Sequence, residues 1–153
     1  MISYYQSPIG IIQIEYTGKG ISSLVFTDES EMESRAVVIE SPGEVQLDEY
    51  FNKKREIFDL QLDLQGTEFQ KRVWNELLKI PFKKTISYKE LTLKLGDIKA
   101  IRAVAAANGA NPVSIIVPCH RVIGSDGSLT GYAGGLWRKQ WLLEHESSSM
   151  KLF

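Results

Sequence analysis

The sequence predicts an α+β protein in two parts: a small N-terminal antiparallel-sheet domain over residues 1–65 and a mostly helical C-terminal domain over residues 66–153. The second part contains a helix-turn-helix and the chain's single cysteine, Cys119. Three observations carry this. Short apolar runs of period two, separated by turn residues, fill the first 26 positions. Beyond Gly66 the apolar spacing becomes helical, and two S/T-x-x-E/Q capping sequences follow within 25 residues.

In the first part, Ile2–Gln6, Ile11–Tyr16 and Ile21–Phe26 read as strands, with turns at Ser7-Pro8-Ile9-Gly10 and Thr17-Gly18-Lys19-Gly20. Asp28–Glu33 reads as an acidic loop. Glu44 to about Lys53, with Leu47, Tyr50 and Phe51 to one side, reads as an amphipathic helix, and Ile57–Leu64 as a further strand. Lys53-Lys54-Arg55 fits a solvated helix end. No chemistry is assigned to this half.

In the second part, Thr67-Glu68-Phe69-Gln70 caps a helix carrying Val73, Trp74, Leu77 and Leu78, which Pro81 ends. Ser87-Tyr88-Lys89-Glu90 opens a short helix through Leu91 and Leu95 that stops at Gly96. Asp97 then caps a helix from Ile98 to about Asn108. Two helices joined by a Gly-Asp turn have the form of a helix-turn-helix. Helical spacing turns Ile98, Ile101 and Ala105 inward, with Val104 at the edge, and groups Lys99, Arg102, Ala103 and Ala106 outward. That outward face fits close approach to a nucleic-acid groove with one cation reaching in; an ordinary alanine-rich helix with a solvated arginine fits it as well.

Composition limits the classes. The 153 residues are 43% hydrophobic and 24% charged, ordinary for a folded globular chain. No apolar run reaches the ~18 residues of a membrane span, and the first residues lack a basic secretory start, so a cytoplasmic protein is expected. One cysteine excludes an internal disulfide and a thiolate-rich zinc cluster. Residues 1–85 carry 10 lysines and arginines against 14 acids, and residues 86–153 carry 8 against 5, so the second half is the better match to a polyanion.

The chemical signal lies around Cys119. Val113–Val117 reads as a buried strand that Pro118 ends, placing Cys119 at a strand-to-loop junction. The adjacent His120 and Arg121 are groups able to accept a thiol proton or lower its pKa. Downstream, Gly131-Tyr132-Ala133-Gly134-Gly135 reads as a flexible loop before a helix from Leu136 to about His145, with Trp137 and Trp141 as core. Glu146 at that helix end opposes the dipole; a partner such as His120 accounts for it, and so does a frayed, solvated end.

Pro118-Cys119-His120-Arg121-Val122 resembles the active-site signature of the O6-alkylguanine-DNA alkyltransferases. Gly66-Thr67, Phe69-Gln70, Val73-Trp74, Ile80-Pro81, Ser87-Tyr88, Arg102-Ala103-Val104, Asn111-Pro112, Gly131-Tyr132, Gly134-Gly135-Leu136 and Glu146 follow in that family's order. The resemblance implies direct repair of alkylated DNA, with Cys119 taking the alkyl group irreversibly from guanine O6, and it leaves thymine O4 open as a second substrate. It implies His120 as the base acting through a water, Glu146 as its support, Asn111 as a brace of the turn and Tyr88 as proton donor to the departing guanine. It further implies that the base is flipped through the minor groove, with Arg102, Ala103, Tyr88 and Arg121 on the DNA and Val122, Tyr132, Ala133 and Gly134 around the extruded base. Ala133 stands where some members carry serine, which removes a hydroxyl contact and leaves the backbone donor. Double-stranded DNA is the implied partner, with no cofactor, no metal, no membrane and no obligate protein partner, and a monomer is expected. A lesion-binding module without transfer, a Cys-His amidase and a plain transcription regulator are the competing classes; the first conflicts with the presence of Cys119, and the last leaves the Cys119 site unexplained.

Overall fold

Alternation of Ile12 and Ile14 against polar neighbours builds a three-stranded antiparallel sheet in the order β1 (Ile2–Ser7), β2 (Gly10–Tyr16), β3 (Ile21–Thr27). The computed structural model describes residues 1–28 and 41–148, and most of the acidic run Asp28–Glu33 lies outside them. The chain divides into two units, Met1–Leu64 and Gln65–Phe153.

In the first unit the register pairs Tyr5 with Ile12 and Ile14 with Leu24. Ile12, Ile14 and Leu24 are buried together with Leu47, Tyr50 and Phe51 of helix α1 (Pro42–Phe51), which packs on β1. Pro42 at the first helical position and the Ser41 side chain accepting from the Glu44 N–H start α1 two residues before the expected point. The strand expected over Ile57–Leu64 reduces to one bridge. Ile21 N donates to the Gln61 carbonyl at 2.9 Å and Asp63 N to the Ile21 carbonyl at 2.7 Å, while Ile57 is exposed. A short apolar run alone does not make a ladder partner.

The second unit follows its capping boxes. Thr67 and Gln70 close on each other's backbone N–H groups to start α2 (Glu68–Leu77), and Ser87 and Glu90 do the same for α3 (Tyr88–Lys94). Gly96, at φ +108, ends the first arm of the helix-turn-helix. A 3-10 turn, Ile98–Ala100, capped by Asp97, leads into α4 (Ile101–Gly109). Both α2 and α3 pack on α4, and Trp74 of α2, fully buried, donates from its indole nitrogen to the Ala107 carbonyl at 2.8 Å. Two residue pairs, Ile86–Val122 and Ser87–Ile123, form a parallel ladder between β4 (Ile86–Ser87) and β5 (Val122–Ile123). This ladder sets Tyr88, the first residue of α3, beside the segment that follows Cys119. Helix α5 (Leu136–Ser148) ends the described chain. Among the described residues, no helix is long and apolar enough to cross a membrane.

Three expectations change here. Val113–Val117 is buried but forms turns, with Ile115 at φ +72, a strained value for a β-branched residue. Ile116 N donates to the Ser114 carbonyl and Val117 N to that of Val113, while Asn111 meets Val113 N and the Val117 carbonyl, so an apolar run signalled burial and not a strand. Helix α4 buries Val104, Ala107 and Asn108, and Ile98, Ile101 and Ala105 face out. Trp137 is 57% exposed, while Trp141 lies half-buried and stacks on His145 at 4.9 Å.

Gly66 packs so tightly that an added Cβ would lie 2.5 Å from the Trp74 ring. Gly66→Ala is expected to destabilise the protein by about 1–3 kcal/mol through overpacking. Urea unfolding checks this, with a lowered midpoint at unchanged slope as the expected result.

Candidate active site

Pro118 withholds a backbone donor and the chain tightens into a 3-10 turn, Cys119–Arg121, with the Val122 N–H closing on the Cys119 carbonyl. Behind the turn, Asn111 is buried; its amide donates to the Val117 carbonyl at 2.7 Å and its carbonyl oxygen accepts from Val113 N at 3.0 Å. Asn111 thereby clamps both ends of the strained segment that delivers Cys119, and its side chain also acts to lower the thiol pKa. Cys119 is buried, which pushes its thiol up, against the lowering effects of Asn111 and of the Lys139 charge.

His120 is fully buried. Its Nε2 lies 2.8 Å from Glu146 Oε2. Burial pulls the imidazole below its ordinary value, and the Glu146 contact only partly offsets this, so the ring is neutral at pH 7. Burial alone would raise the Glu146 carboxyl, but its hydrogen bonds and charge interactions with His120 and Arg121 hold it well below the usual carboxylate range. An ionised Glu146 only accepts, so Nε2 carries the imidazole proton and Nδ1 is the basic nitrogen. Nδ1 is buried and has no hydrogen-bond partner among the described residues, which leaves it available to receive a proton.

Arg121 differs from its expected place on DNA. Its guanidinium is buried and donates through Nε and Nη2 to Glu146, at 2.9 and 3.1 Å, and through Nη1 to the Ile80 carbonyl at 2.7 Å. These three hydrogen bonds all point inward, and through them Arg121 secures Glu146 as an internal ion-pair partner.

Lys139 was not singled out by sequence. It is 0% exposed, and its Nζ donates to the Thr130 carbonyl at 2.8 Å and more weakly to that of Gly131 at 3.4 Å. Burial brings its amine down to about 8. Next to it Arg138 Nη1 donates to the Gly134 carbonyl at 3.0 Å. The loop expected to be flexible is therefore pinned by two cations of the first turn of α5. Their position was the available signal, since cations in the first helical turn oppose the dipole and need another partner. Tyr88 donates its hydroxyl to the same Thr130 carbonyl at 3.1 Å, joining α3 to this loop. The Tyr132 hydroxyl is buried, and burial followed by the charge of Cys119 holds its phenol far above the ordinary value. Val122 is buried, whereas Ala133 is exposed and Gly134 half-buried. Arg102 and Ala103 are exposed on α4, away from these internal contacts.

A buried cysteine beside a carboxylate-oriented imidazole, in one unit with a helix-turn-helix, is the layout of a cysteine-dependent protein directed to DNA. Residues 68–148 match the family described as 6-O-methylguanine DNA methyltransferase, DNA binding domain, and residues 1–64 match its ribonuclease-like domain. A Methanosarcina barkeri protein named methylated-DNA--protein-cysteine methyltransferase is 45% identical over 152 residues, covering 95% of this chain and 96% of that one. The relative of the same name from Mycobacterium tuberculosis is 46% identical over 155 residues, covering 97% and 94%. The crystal structure of Mycobacterium tuberculosis OGT in complex with DNA is similar, with a TM-score of 0.85 and 44% identity over 95% of this chain and 92% of that chain. The chain belongs to the 6-O-methylguanine DNA methyltransferase family.

Arg121→Met leaves the buried Glu146 carboxylate without its guanidinium partner and with the neutral His120 ring as a hydrogen-bond donor. The expected loss of stability is about 3–5 kcal/mol, measured by chemical unfolding, with duplex affinity of the folded protein unchanged. Weakened duplex binding at full stability would return Arg121 to the DNA surface.

Proposed function

We propose that this chain repairs DNA directly, moving a methyl or other small alkyl group from guanine O6 in duplex DNA onto Cys119, one group per molecule. The observation that carries this reading is the buried Cys119 followed by a His120 that Glu146 and Arg121 lock in its basic form. The thiol is pushed up by burial and therefore needs a base. His120 Nδ1 takes the thiol proton through one water. The thiolate attacks the alkyl carbon in line, the S–C bond forms, and the C–O6 bond breaks with its electron pair leaving on guanine. The departing base requires one proton, and Tyr88, whose hydroxyl lies at the Thr130 carbonyl, supplies it. The thioether is stable, so the protein turns over once.

A base inside a duplex has to leave the stack before a buried sulfur can reach it. The helix-turn-helix supplies the surface for this: Arg102, exposed beside Ala103, enters the vacated space while the pinned 130–135 loop and Val122 hold the base. Lys139 adds a charge that favours the Cys119 thiolate and fixes the loop carbonyls. Asn111 braces the turn. The first unit, residues 1–65, serves as scaffold. The protein acts on DNA bearing O6-alkylguanine as a cytoplasmic monomer without a cofactor. The loss of a serine hydroxyl at Ala133 changes preference among alkyl groups and leaves guanine recognition to the backbone.

Intact mass after incubation with a duplex holding one O6-methylguanine tests the reading. The expected result is a gain of one methylene per protein, mapped to Cys119 and absent in Cys119→Ser. Binding without any gain would make the chain a recognition module. In the same assay Arg102→Ala is expected to slow transfer from duplex by about tenfold or more, the scale of about 1.4 kcal/mol or more of lost unstacking help, and to leave transfer from the free alkylated base intact. Equal slowing of both would remove Arg102 from base flipping.

A further inference from the structure

Two isoleucines at the start of the recognition helix face solvent. Ile98 is 42% and Ile101 37% exposed, although side chains of this size ordinarily stabilise a core when buried. The inward side of α4 is already taken by Val104, Ala107 and Asn108, fixed by the Trp74 to Ala107 bond. Both isoleucines lie on the N-terminal side of Arg102. Ile98 and Ile101 lie three residues apart across the 3-10 turn, where such positions eclipse, and Arg102 sits one helical turn from Ile98. Leu93, on the preceding helix, is 54% exposed. Lys94, Lys99 and Arg102 carry positive charge around this patch, and the small Ala103 and Ala106 extend it along α4.

We propose that Ile101, backed by Ile98, is an apolar wedge that enters the base stack of duplex DNA beside Arg102 and opens the step from which the base leaves. The proposal rests on the DNA-repair reading above. An apolar patch edged by cations fits a ligand that is anionic outside and apolar between its stacked bases. The patch is also continuous with the helix-turn-helix of the unit that matches the family's DNA binding domain. Isoleucine suits the role because its β-branched side chain is stiff and loses little freedom on insertion. Apolar wedges of this kind kink duplexes by about 20–90° while a neighbouring cation or polar group holds the strand. Arg102 then fills the gap that the wedge starts.

Ile101→Ala and the Ile98→Ala/Ile101→Ala double variant test this, since alanine favours the helix and neither side chain is in the core. The readouts are single-turnover transfer from an O6-methylguanine duplex, transfer from the free alkylated base, and the bend of the bound duplex by end-to-end energy transfer. The expected result is about tenfold slower duplex transfer, free-base transfer within about twofold of the parent, and a smaller bend, with Ile101→Met restoring most of both. Duplex transfer and bend within about twofold of the parent would overturn the wedge, as would equal slowing with free base, which marks a structural role. If the parent protein transfers no methyl group, the repair reading fails, and the bend alone still decides the wedge. A patch that instead joins two copies of the chain would show as dimer loss in both variants with the bend unchanged, and this too overturns the proposal.

Discussion

Glu146 has two oxygens and shares them between two neighbours of Cys119, and the rest of the site is arranged around that division. Oε1 takes Arg121 Nε, and Oε2 takes both His120 Nε2 and Arg121 Nη2. A buried carboxylate is costly unless its lone pairs are met, and here a guanidinium fork and an imidazole meet them. Because both donors come from consecutive residues of one 3-10 turn, satisfying Glu146 also fixes the pitch of that turn. Cys119, one residue earlier, takes its direction from the same constraint. Arg121 reaches further, to the Ile80 carbonyl, and so ties the end of the α2 segment to the same carboxylate.

A second set of contacts fastens the opposite wall. The carbonyls of Thr130, Gly131 and Gly134 are held by Lys139 and Arg138, which are adjacent on α5, and the Thr130 carbonyl also takes the Tyr88 hydroxyl. Helix α5 therefore contributes the loop anchors from its first turn and the triad carboxylate from near its end. One rigid element spans both walls, so their separation is set by helix rise and not by a flexible loop. Lys139 sits where its charge counts toward Cys119, and its amine, brought down by burial to about 8, is still mostly protonated near neutrality.

Local chemistry was legible from sequence, and the facing of side chains was less so. Thr67 with Gln70 and Ser87 with Glu90 announced two helix starts because a capping box is complete within four residues. The Cys119-His120 pair and the family motifs led to the site, and the suggestion that Glu146 answers His120 followed from a carboxylate at the wrong end of a helix. Arg121 was placed on the DNA because adjacency does not tell which side of a turn a residue faces. Ile98 and Ile101 were placed inward because apolar residues usually are; in α4 the alanines give little contrast between faces, and the bond from Trp74 decides the rotation. A lysine is rarely fully buried, so the sequence alone does not place Lys139 inside; its carbonyl partners do. Val113–Val117 signalled burial correctly, but the Asn111 side chain, and not a neighbouring strand, satisfies its ends.

The protonation of His120 tests the central claim most directly, because the thiol needs a base whose free nitrogen faces away from Glu146. Nitrogen NMR of the histidine rings across neutral pH reads it without any substrate. The expected spectrum for His120 is a neutral ring with the proton on Nε2 and a bare Nδ1, holding below pH 6.5, the ordinary imidazole value from which burial lowers it. A charged ring at pH 7, or a proton resident on Nδ1, would contradict it and leave Cys119 without the base assigned here.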